Sequence, residues 1–226
     1  MKLTRVVIVC ALWVGLGVGR AAATDGNPGI VPIAGPVGHA IYGTLAAKWW
    51  QWAAETPAPE SALLDTTGAN CASHQGREVW FLAGTLDGSP VTRSCAVPRG
   101  TYLFFPLAND FYGAFTTDPA AHKTVPYLRS QVTCIADAVV SATIDGVPVN
   151  DPQQYLELSI PFAIHLPEDN IFGVTAADVP HLLLAPAVDE GYYLYLKPLA
   201  PGAHTIHFTA ESCGGPQDVT YTLTVD

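Results

Sequence analysis

The chain has 226 residues, with 20 acidic and 10 basic side chains and a formal net charge of −10. So acidic a chain is poorly suited to bind nucleic acid or an anionic membrane, because binding to phosphate groups needs clustered lysine and arginine side chains. Its length suits one all-β domain or two small domains, with enough residues for a substantial core.

The N-terminal segment has the features of a secretory leader. Lys2 and Arg5 precede the apolar run VVIVCALWVGLGV, and three alanines end at Ala23. This pattern predicts a cleaved signal peptide over residues 1–23, with an uncleaved anchor as the alternative. All 20 acidic residues follow this point and three of the 10 basic residues precede it, which leaves a net charge of −13 after cleavage. We expect a secreted or periplasmic protein with no later membrane span.

Four cysteines remain after the leader: Cys71, Cys95, Cys134 and Cys213. In an exported chain this number predicts two disulfides, which allow three connectivities. We favour Cys71–Cys95, because this pair flanks two adjacent predicted strands, and Cys134–Cys213, which would tie the middle of the chain to its end. A zinc site is the alternative, but the sequence has no CxxC or HxxxH pair to support it.

Residues 24–40 are rich in glycine and proline, and they predict an extended lead-in. From Ile41 the pattern becomes helical, and Glu55 precedes Thr56-Pro57, where a helix should end. A narrow polar stripe marks the exposed side of this helix, formed by Thr44, Lys48, Gln51 and Glu55.

The tryptophans of KWWQWA (48–53) have different predicted places on the helix. Trp49 lies at the centre of the apolar face and should be buried. Trp50 lies to one side of that face, and Trp52 lies at the boundary of the polar stripe and should be partly exposed. Packing of the helix onto a sheet is the commoner use of such residues, and a stacking platform for a ligand at Trp52, extended by Trp50, is the alternative.

Strand patterns dominate the rest of the chain. EVWFLAG (78–84) and VTRSCAV (91–97) flank an Asp-Gly turn and predict a hairpin. TYLFFPL (101–107) follows as a strand in which Pro106 indicates a sheet edge or a strand end. Residues 108–130 predict a long irregular loop. TCIADAVVSATI (133–144) predicts a strand or a short helix followed by one.

Strand patterns continue through the second half of the chain. Asp145-Gly146 indicates a hairpin, and residues 154–166 indicate a bent strand or a strand pair broken near Pro161. Three clear strands follow, over residues 191–199, 203–210 and 219–225. The pattern predicts an all-β fold: an antiparallel β-sandwich, Ig-like or jelly-roll, in one domain over residues 41–226, with one N-terminal amphipathic helix packed on it.

Several motifs occur together: KWWQWA (48–53), DTTGANC (65–71), VWFLAGT (79–85), CAVPRGTYLFFPLAN (95–109) and the closing PLAPGAHTIHF…VTYTLTV. The set resembles a family of exported bacterial proteins to which no activity is assigned, and it covers most of the chain after the leader. The resemblance implies export and a single compact domain.

The strongest polar cluster follows the apolar strand TYLFFPL. Asn109 and Asp110 lie at its end, and Tyr112 and Asp118 lie in the predicted loop. A carboxylate and an amide at a strand end can hold a sugar hydroxyl or part of a calcium shell, although the same residues are ordinary turn formers. With Trp52 they form the predicted ligand site. No cofactor is expected beyond calcium, for which the acidic loop at residues 168–170 is a second candidate.

Catalytic patterns are missing from the sequence. It has no GxSxG, HExxH, P-loop or dinucleotide fingerprint. Adjacent Ser73 and His74 are weak evidence for a triad, and Asp189-Glu190 should be solvated. His204 and His207 lie three apart on a predicted strand and cannot chelate one ion. His204 should be a buried, hydrogen-bonded histidine, whereas His207 and His165 should lie at the surface.

Three functions remain open. The first is a non-catalytic extracellular module that binds a glycan, a surface polymer or a protein. The second is a secreted hydrolase or lyase that acts on a polymer with loop carboxylates, which needs two carboxyl groups facing each other. The third is a structural component of the cell envelope, which should expose edge strands and an apolar patch. Sequence patterns indicate nothing about the oligomeric state.

Overall fold

A computed structural model describes residue 27 and residues 29–226. The predicted leader over residues 1–23 therefore lies outside the described residues. The chain is mostly β, with two five-stranded sheets and few helices. The described residues include no helix long and apolar enough to cross a membrane.

The first sheet contains the two longest strands of the fold. Its strands are β1 (Val79–Phe81), β3 (Tyr102–Phe115), β6 (Leu156–Leu158), β7 (Phe162–His165) and β8 (Leu183–Leu196). Strands β3 and β8 pair antiparallel over most of their 14 residues each, β1 lies beside β3, and both β6 and β7 pair with β8.

The second sheet has the order β2-β10-β9-β4-β5. Its strands are β2 (Val91–Val97), β4 (Val139–Ile144), β5 (Val147–Pro148), β9 (Gly202–Ser212) and β10 (Gly215–Val225). Strands β4 and β5 form the hairpin predicted at Asp145-Gly146, and the strands predicted near the C-terminus are present.

Two strand pairs correct the prediction of an antiparallel architecture. Strand β1 runs parallel to β3, and β2 runs parallel to β10. The predicted hairpin over residues 78–97 is therefore wrong, because β1 and β2 belong to different sheets. The segment that connects them is held by side chains: Ala83 donates its backbone N–H to the Tyr221 hydroxyl, 2.9 Å away.

Arg93 secures the same connection from within the core. Its side chain is buried, and its guanidinium donates to the carbonyl oxygens of Ala83 and Gly84, 2.7 and 3.0 Å away. The Nε group donates to the Asp65 carbonyl at 2.7 Å, and the guanidinium lies 5.5 Å from the centre of the Tyr221 ring. In this connecting segment, the backbone groups of Ala83 and the carbonyl of Gly84 are thus satisfied by one arginine and one tyrosine.

Strand β3 also corrects the loop predicted over residues 108–130. The strand continues to Phe115, so Asn109 and Asp110 lie within a strand and not in a loop. Pro106 pairs with Tyr193 of β8, and β1 pairs with β3 only as far as Phe104, so Pro106 lies at a sheet edge as predicted. Beyond the strand, α2 (Val125–Arg129) packs Leu128 against Ala114 and Val188.

The N-terminal helix α1 (Gly35–Glu55) begins six residues before the predicted start and ends at the predicted residue. Trp49 is buried, as predicted, and its indole donates to the Leu82 carbonyl at 2.9 Å. A Cβ atom on Gly43 would lie only 2.7 Å from the Leu158 carbonyl oxygen, so glycine allows the helix to approach β6 closely. Trp52 is half-buried, as predicted.

One large apolar core includes residues of α1 and of both sheets. The sheets meet at Phe105 of β3 and Phe208 of β9, whose ring centres lie 5.5 Å apart. Both favoured disulfides are present: Cys71–Cys95 closes 24 residues and Cys134–Cys213 closes 79. The first pair is buried and the second is exposed.

Candidate functional site

A cleft of about 220 Å³ opens beside α1 and the middle of β3. Its lining also includes residues of the turn between β9 and β10 and of a loop that carries Phe172. The cleft is lined by Trp49, Trp50, Leu63, Gly84, Thr85, Leu86, Pro106, Leu107, Ala108, Asn109, Asp110, Phe111, Phe172, Ser212, Gly214 and Gln217.

Aromatic rings connect the core to the mouth of the cleft. Trp49 and Trp50 meet edge to face with ring centres 5.0 Å apart. The Trp50 ring lies 4.2 Å from that of Phe111, which in turn lies 5.8 Å from Phe172. Trp50 is buried, whereas Phe172 is exposed. A ligand in the cleft would therefore meet Trp50 and Phe111, which are packed against the core, and the exposed ring of Phe172.

Most polar side chains of the cleft already have partners. Gln217 accepts the backbone N–H of Thr85 at 2.7 Å and donates to the Thr85 carbonyl at 2.9 Å. Ser212 donates its hydroxyl to the Gly215 carbonyl, and Asn109 donates its amide to the Tyr193 hydroxyl at 3.0 Å. These bonds hold the walls of the cleft in place and leave Asp110 as its charged group.

Asp110 lies half-buried on β3, next to Phe111. Its Oδ1 accepts the backbone N–H of Phe111 at 2.9 Å. Burial raises the pKa of the Asp110 carboxyl, and the hydrogen bond from Phe111 only partly offsets this loss of solvation.

A second carboxylate lies beneath the aromatic wall. Asp189 is fully buried, which corrects the expectation that it is solvated. Its Oδ1 accepts the Trp50 indole N–H at 2.7 Å, and the Tyr193 hydroxyl lies 2.6 and 2.8 Å from its two oxygens. Burial, with a smaller contribution from the negative charge of Asp110, raises the pKa of Asp189 to about 8, although the hydrogen bonds from Tyr193 and Trp50 oppose the shift.

Arg129 approaches Asp189 from the side of α2. Its Nη1 donates to the backbone carbonyl of Asp189 at 3.0 Å, and its Nη2 donates to the Ser159 carbonyl. Burial lowers the pKa of the Arg129 guanidinium, and the charge of Asp189 opposes this effect. The arginine therefore binds the backbone at residue 189, while Trp50 and Tyr193 bind the carboxylate itself.

The comparisons with known proteins show no family. No protein-family model matches the chain, and no curated protein matches it. Solved structures that match include PbICP-C in complex with falcipain-2, at 11% identity and a TM-score of 0.28, covering 66% of this chain and 100% of that one. The cysteine protease inhibitor EhICP2 from Entamoeba histolytica matches at 12% identity and a TM-score of 0.24, covering 69% and 100%. Amebosin in solution matches at 11% identity and a TM-score of 0.24, covering 67% and 100%. Likeness at these TM-scores carries no argument about function.

The structure brings together only some of the residues predicted for the site. Asn109 and Asp110 line the cleft. Trp52 packs against Trp49 and Phe81 and donates its indole N–H to the Ser73 carbonyl. Tyr112 is exposed on β3 outside the cleft. Asp118 accepts the backbone N–H of Phe115 in the following turn and also lies outside the cleft.

Sequence reasoning missed Asp189, Phe111 and Phe172. Asp189 was missed because the predicted strand starts at residue 191, whereas β8 begins at Leu183. The strand is buried on both faces around residue 189, so no alternation marks Asp189. Phe172 lies in a loop, where no periodicity marks its role.

In the acidic loop at residues 168–170, the side chain of Asn170 makes hydrogen bonds to backbone groups of the same loop. Asn170 is buried, donates to the carbonyls of Pro167 and Val174, and accepts the N–H groups of Phe172 and Val174. These bonds fix the loop that presents Phe172. Across the described part of the chain, no group of three or more histidine, cysteine, aspartate or glutamate side chains could hold a metal ion.

Histidines of the second sheet pair with nearby carboxylates. His204 is partly buried, and its Nδ1 lies 2.8 Å from Asp145, which raises the pKa of His204. His204 is therefore hydrogen-bonded as predicted but less buried than predicted. His207 pairs with Asp218, and His165 is exposed.

Proposed function

We propose that the protein is a secreted or periplasmic binding module that takes an extracellular glycan, surface polymer or protein at the cleft beside Trp50. In this proposal the two sheets form a β-sandwich of one domain, with α1 packed on it and the two disulfides securing its loops. The observation that carries the proposal is the cleft itself, where Phe111 and Phe172 adjoin the half-buried carboxylate of Asp110.

The chemistry of the lining supports binding. Protein sites for small ligands are usually concave and apolar, with a few fixed polar groups that orient the ligand. Here Trp50 and Phe111 are packed against the core, and Gln217 and Asn109 are held by hydrogen bonds. The walls would therefore lose little side-chain entropy when a ligand enters. The volume of about 220 Å³ suits one residue of a polymer or one protein side chain.

A hydrolase or lyase is the second candidate, because Asp110 and Asp189 both have raised pKa values close to one cleft. Acid–base catalysis by paired carboxylates requires both groups to reach the substrate. Asp189 has no exposed surface, and its oxygens are bound by Trp50 and Tyr193. Binding without catalysis therefore agrees better with the geometry.

A thermal-shift screen tests the proposed function. The purified protein is mixed with soluble polysaccharides, oligosaccharides, basic and acidic peptides, and divalent ions. A ligand present at about 100 times its dissociation constant should stabilise the fold by about 2.7 kcal/mol. Phe172→Ala should abolish the shift. Tyr112→Ala is the matched control, since Tyr112 and Phe172 are 39% and 37% exposed but only Phe172 lines the cleft.

The outcomes separate the candidates. A shift that Phe172→Ala removes and Tyr112→Ala retains supports a binding module. Cleavage of the added polymer that Asp110→Asn abolishes would support the hydrolase or lyase instead. A shift that is insensitive to Phe172→Ala would place the binding site elsewhere and reject the cleft.

A further inference from the structure

We propose that the cleft binds an organic ammonium group, held between the carboxylate of Asp110 and the rings of Phe111 and Phe172. The inference rests on the proposed binding function and names the chemistry of the ligand. A lysine side chain and a quaternary amine headgroup share this chemistry, and the experiment below distinguishes them.

The charge of the cleft is the first argument. None of its lining residues is lysine, arginine or histidine, and Asp110 is its charged side chain. Within the described ranges, the ion pairs join histidines to Asp145, Asp218, Glu60 and Glu157, and none of them involves Asp110. A half-buried carboxylate without a cationic partner lacks the compensation that such groups usually have.

A second carboxyl group, that of Asp189, lies behind the wall. Burial raises its pKa to about 8, and the negative charge of Asp110 adds a smaller contribution to this shift. A carboxylate or phosphate ligand would be repelled by Asp110, with no cationic lining residue to offset that repulsion. A cation would instead offset the loss of solvation at Asp110.

Hydrogen-bonding capacity is the third argument. Gln217 and Ser212 use their polar atoms on Thr85 and Gly215, and Asn109 uses its amide N–H on Tyr193. Among the described residues, the Oδ2 atom of Asp110 and the Oδ1 atom of Asn109 receive no hydrogen bond. The side chains of the cleft therefore offer free acceptors and few free donors. A sugar hydroxyl needs both, whereas an ammonium group only donates.

The rings complete the site. A cation near the face of an aromatic ring is attracted by the ring quadrupole, and quaternary amines are recognised in this way. Phe111 and Phe172 lie 5.8 Å apart at their centres and are tilted by 41°. Because the two rings are tilted, one small cation could contact both. The volume of about 220 Å³ suits an ammonium group with a few carbon atoms.

Calorimetric titration tests the inference with four probes. Choline and butylammonium are the cations, and the neutral tert-butyl analogue of choline and butanol are the matched uncharged probes. We expect at least one cation to bind about tenfold more tightly than its uncharged analogue, an advantage that falls with added salt. Choline alone would indicate a quaternary amine, and butylammonium alone a lysine side chain, both in support.

Two variants test whether the cation binds in the cleft. Asp110→Asn removes the charge and retains the acceptor for the Phe111 N–H, so it should weaken the cation by about tenfold and leave the uncharged probes unchanged. Asp169→Asn changes the same charge on an exposed loop residue and should leave binding unchanged. The melting temperature of each variant confirms that it is folded.

Failure of the inference can be told from failure of the proposed function. Equal affinity for charged and uncharged probes, or a cation affinity insensitive to Asp110→Asn, overturns the ammonium site. If a polysaccharide gives a Phe172-dependent shift and the cations do not bind, the binding module stands and the ammonium inference is wrong. If no ligand of either kind depends on Phe172, both are wrong.

Discussion

Trp50 donates its indole N–H to the carboxylate of Asp189, 2.7 Å away, and joins α1 to β8 across 139 residues of sequence. Both side chains are buried. The same tryptophan ring packs against Phe111 and lines the cleft. One hydrogen bond therefore connects the wall of the candidate site to a carboxylate that has no access to water.

Replacing Trp50 by phenylalanine should destabilise the fold by about 1–3 kcal/mol, because the buried carboxylate of Asp189 loses a donor that water cannot replace. Urea unfolding measures the loss. Trp52→Phe is the matched control: its indole also donates one hydrogen bond, to the Ser73 carbonyl, but from a half-buried position. A loss at Trp52 equal to or larger than the loss at Trp50 would contradict this account.

Asp189→Asn should flatten the pH dependence of stability. The folded pKa of about 8 lies above the unfolded value of 3.8, so between these values the folded state holds one more proton. Stability from this group is fully present below pH 3.8, falls as pH rises at up to about 1.4 kcal/mol per pH unit, and is lost above about pH 8. Asparagine retains acceptor and donor atoms for Trp50 and Tyr193.

The measurement is the free energy of unfolding from pH 4 to pH 9 for both proteins. The asparagine variant should match the wild type at the acidic end and exceed it at the alkaline end. Asp218→Asn, at an exposed residue paired with His207, serves as the control for the general charge change. Parallel stability curves for the wild type and Asp189→Asn would show that Asp189 is ionised throughout.

Arg93→Lys should destabilise by about 2–4 kcal/mol. The guanidinium reaches carbonyls of Asp65, Ala83 and Gly84 at once, and a lysine ammonium cannot match this planar arrangement. Arg77→Lys is the control, since Arg77 is exposed. Denaturant unfolding of the two variants gives the comparison. Similar small losses in both would mean that the buried arginine does not secure the connection between the sheets.

The two disulfides should differ in accessibility. Dithiothreitol should reduce exposed Cys134–Cys213 before buried Cys71–Cys95, as measured by alkylation and mass spectrometry over time. In the chain-entropy model, loss of Cys134–Cys213, which closes a loop of 79 residues, lowers the free energy of unfolding by about 4.5 kcal/mol. Loss of Cys71–Cys95, which closes a loop of 24 residues, lowers it by about 3.5 kcal/mol.

Reduction of the exposed disulfide should also weaken ligand binding. Ser212 and Gly214 flank Cys213 and line the cleft, so the bond anchors one of its walls. Protein reduced at Cys134–Cys213 alone should lose affinity for any cleft ligand found in the screen. Unchanged affinity would show that this wall is held by its hydrogen bonds alone.

Local sequence patterns predicted several features of the structure correctly. The 3.6-residue period of the helix predicted the burial of Trp49 and the half-burial of Trp52. Alternation over residues 219–225 predicted the buried and exposed sides of β10. Four cysteines in an exported-looking chain predicted both disulfides. Each of these features depends on side chains that lie near one another in sequence or on a residue type with one common use.

Tertiary structure decided which strands are neighbours and which polar groups are buried. Val91 of β2 pairs with Val219 of β10, and no local signal distinguishes this parallel pairing from the predicted hairpin. Asp189 has the local sequence of a solvated acid, yet Trp50 and Tyr193 enclose it. Periodicity shows which face of an element is buried, but the residues that bury it come from distant segments. The cleft beside Trp50 therefore exists only once α1, β3 and the β9–β10 turn have packed together.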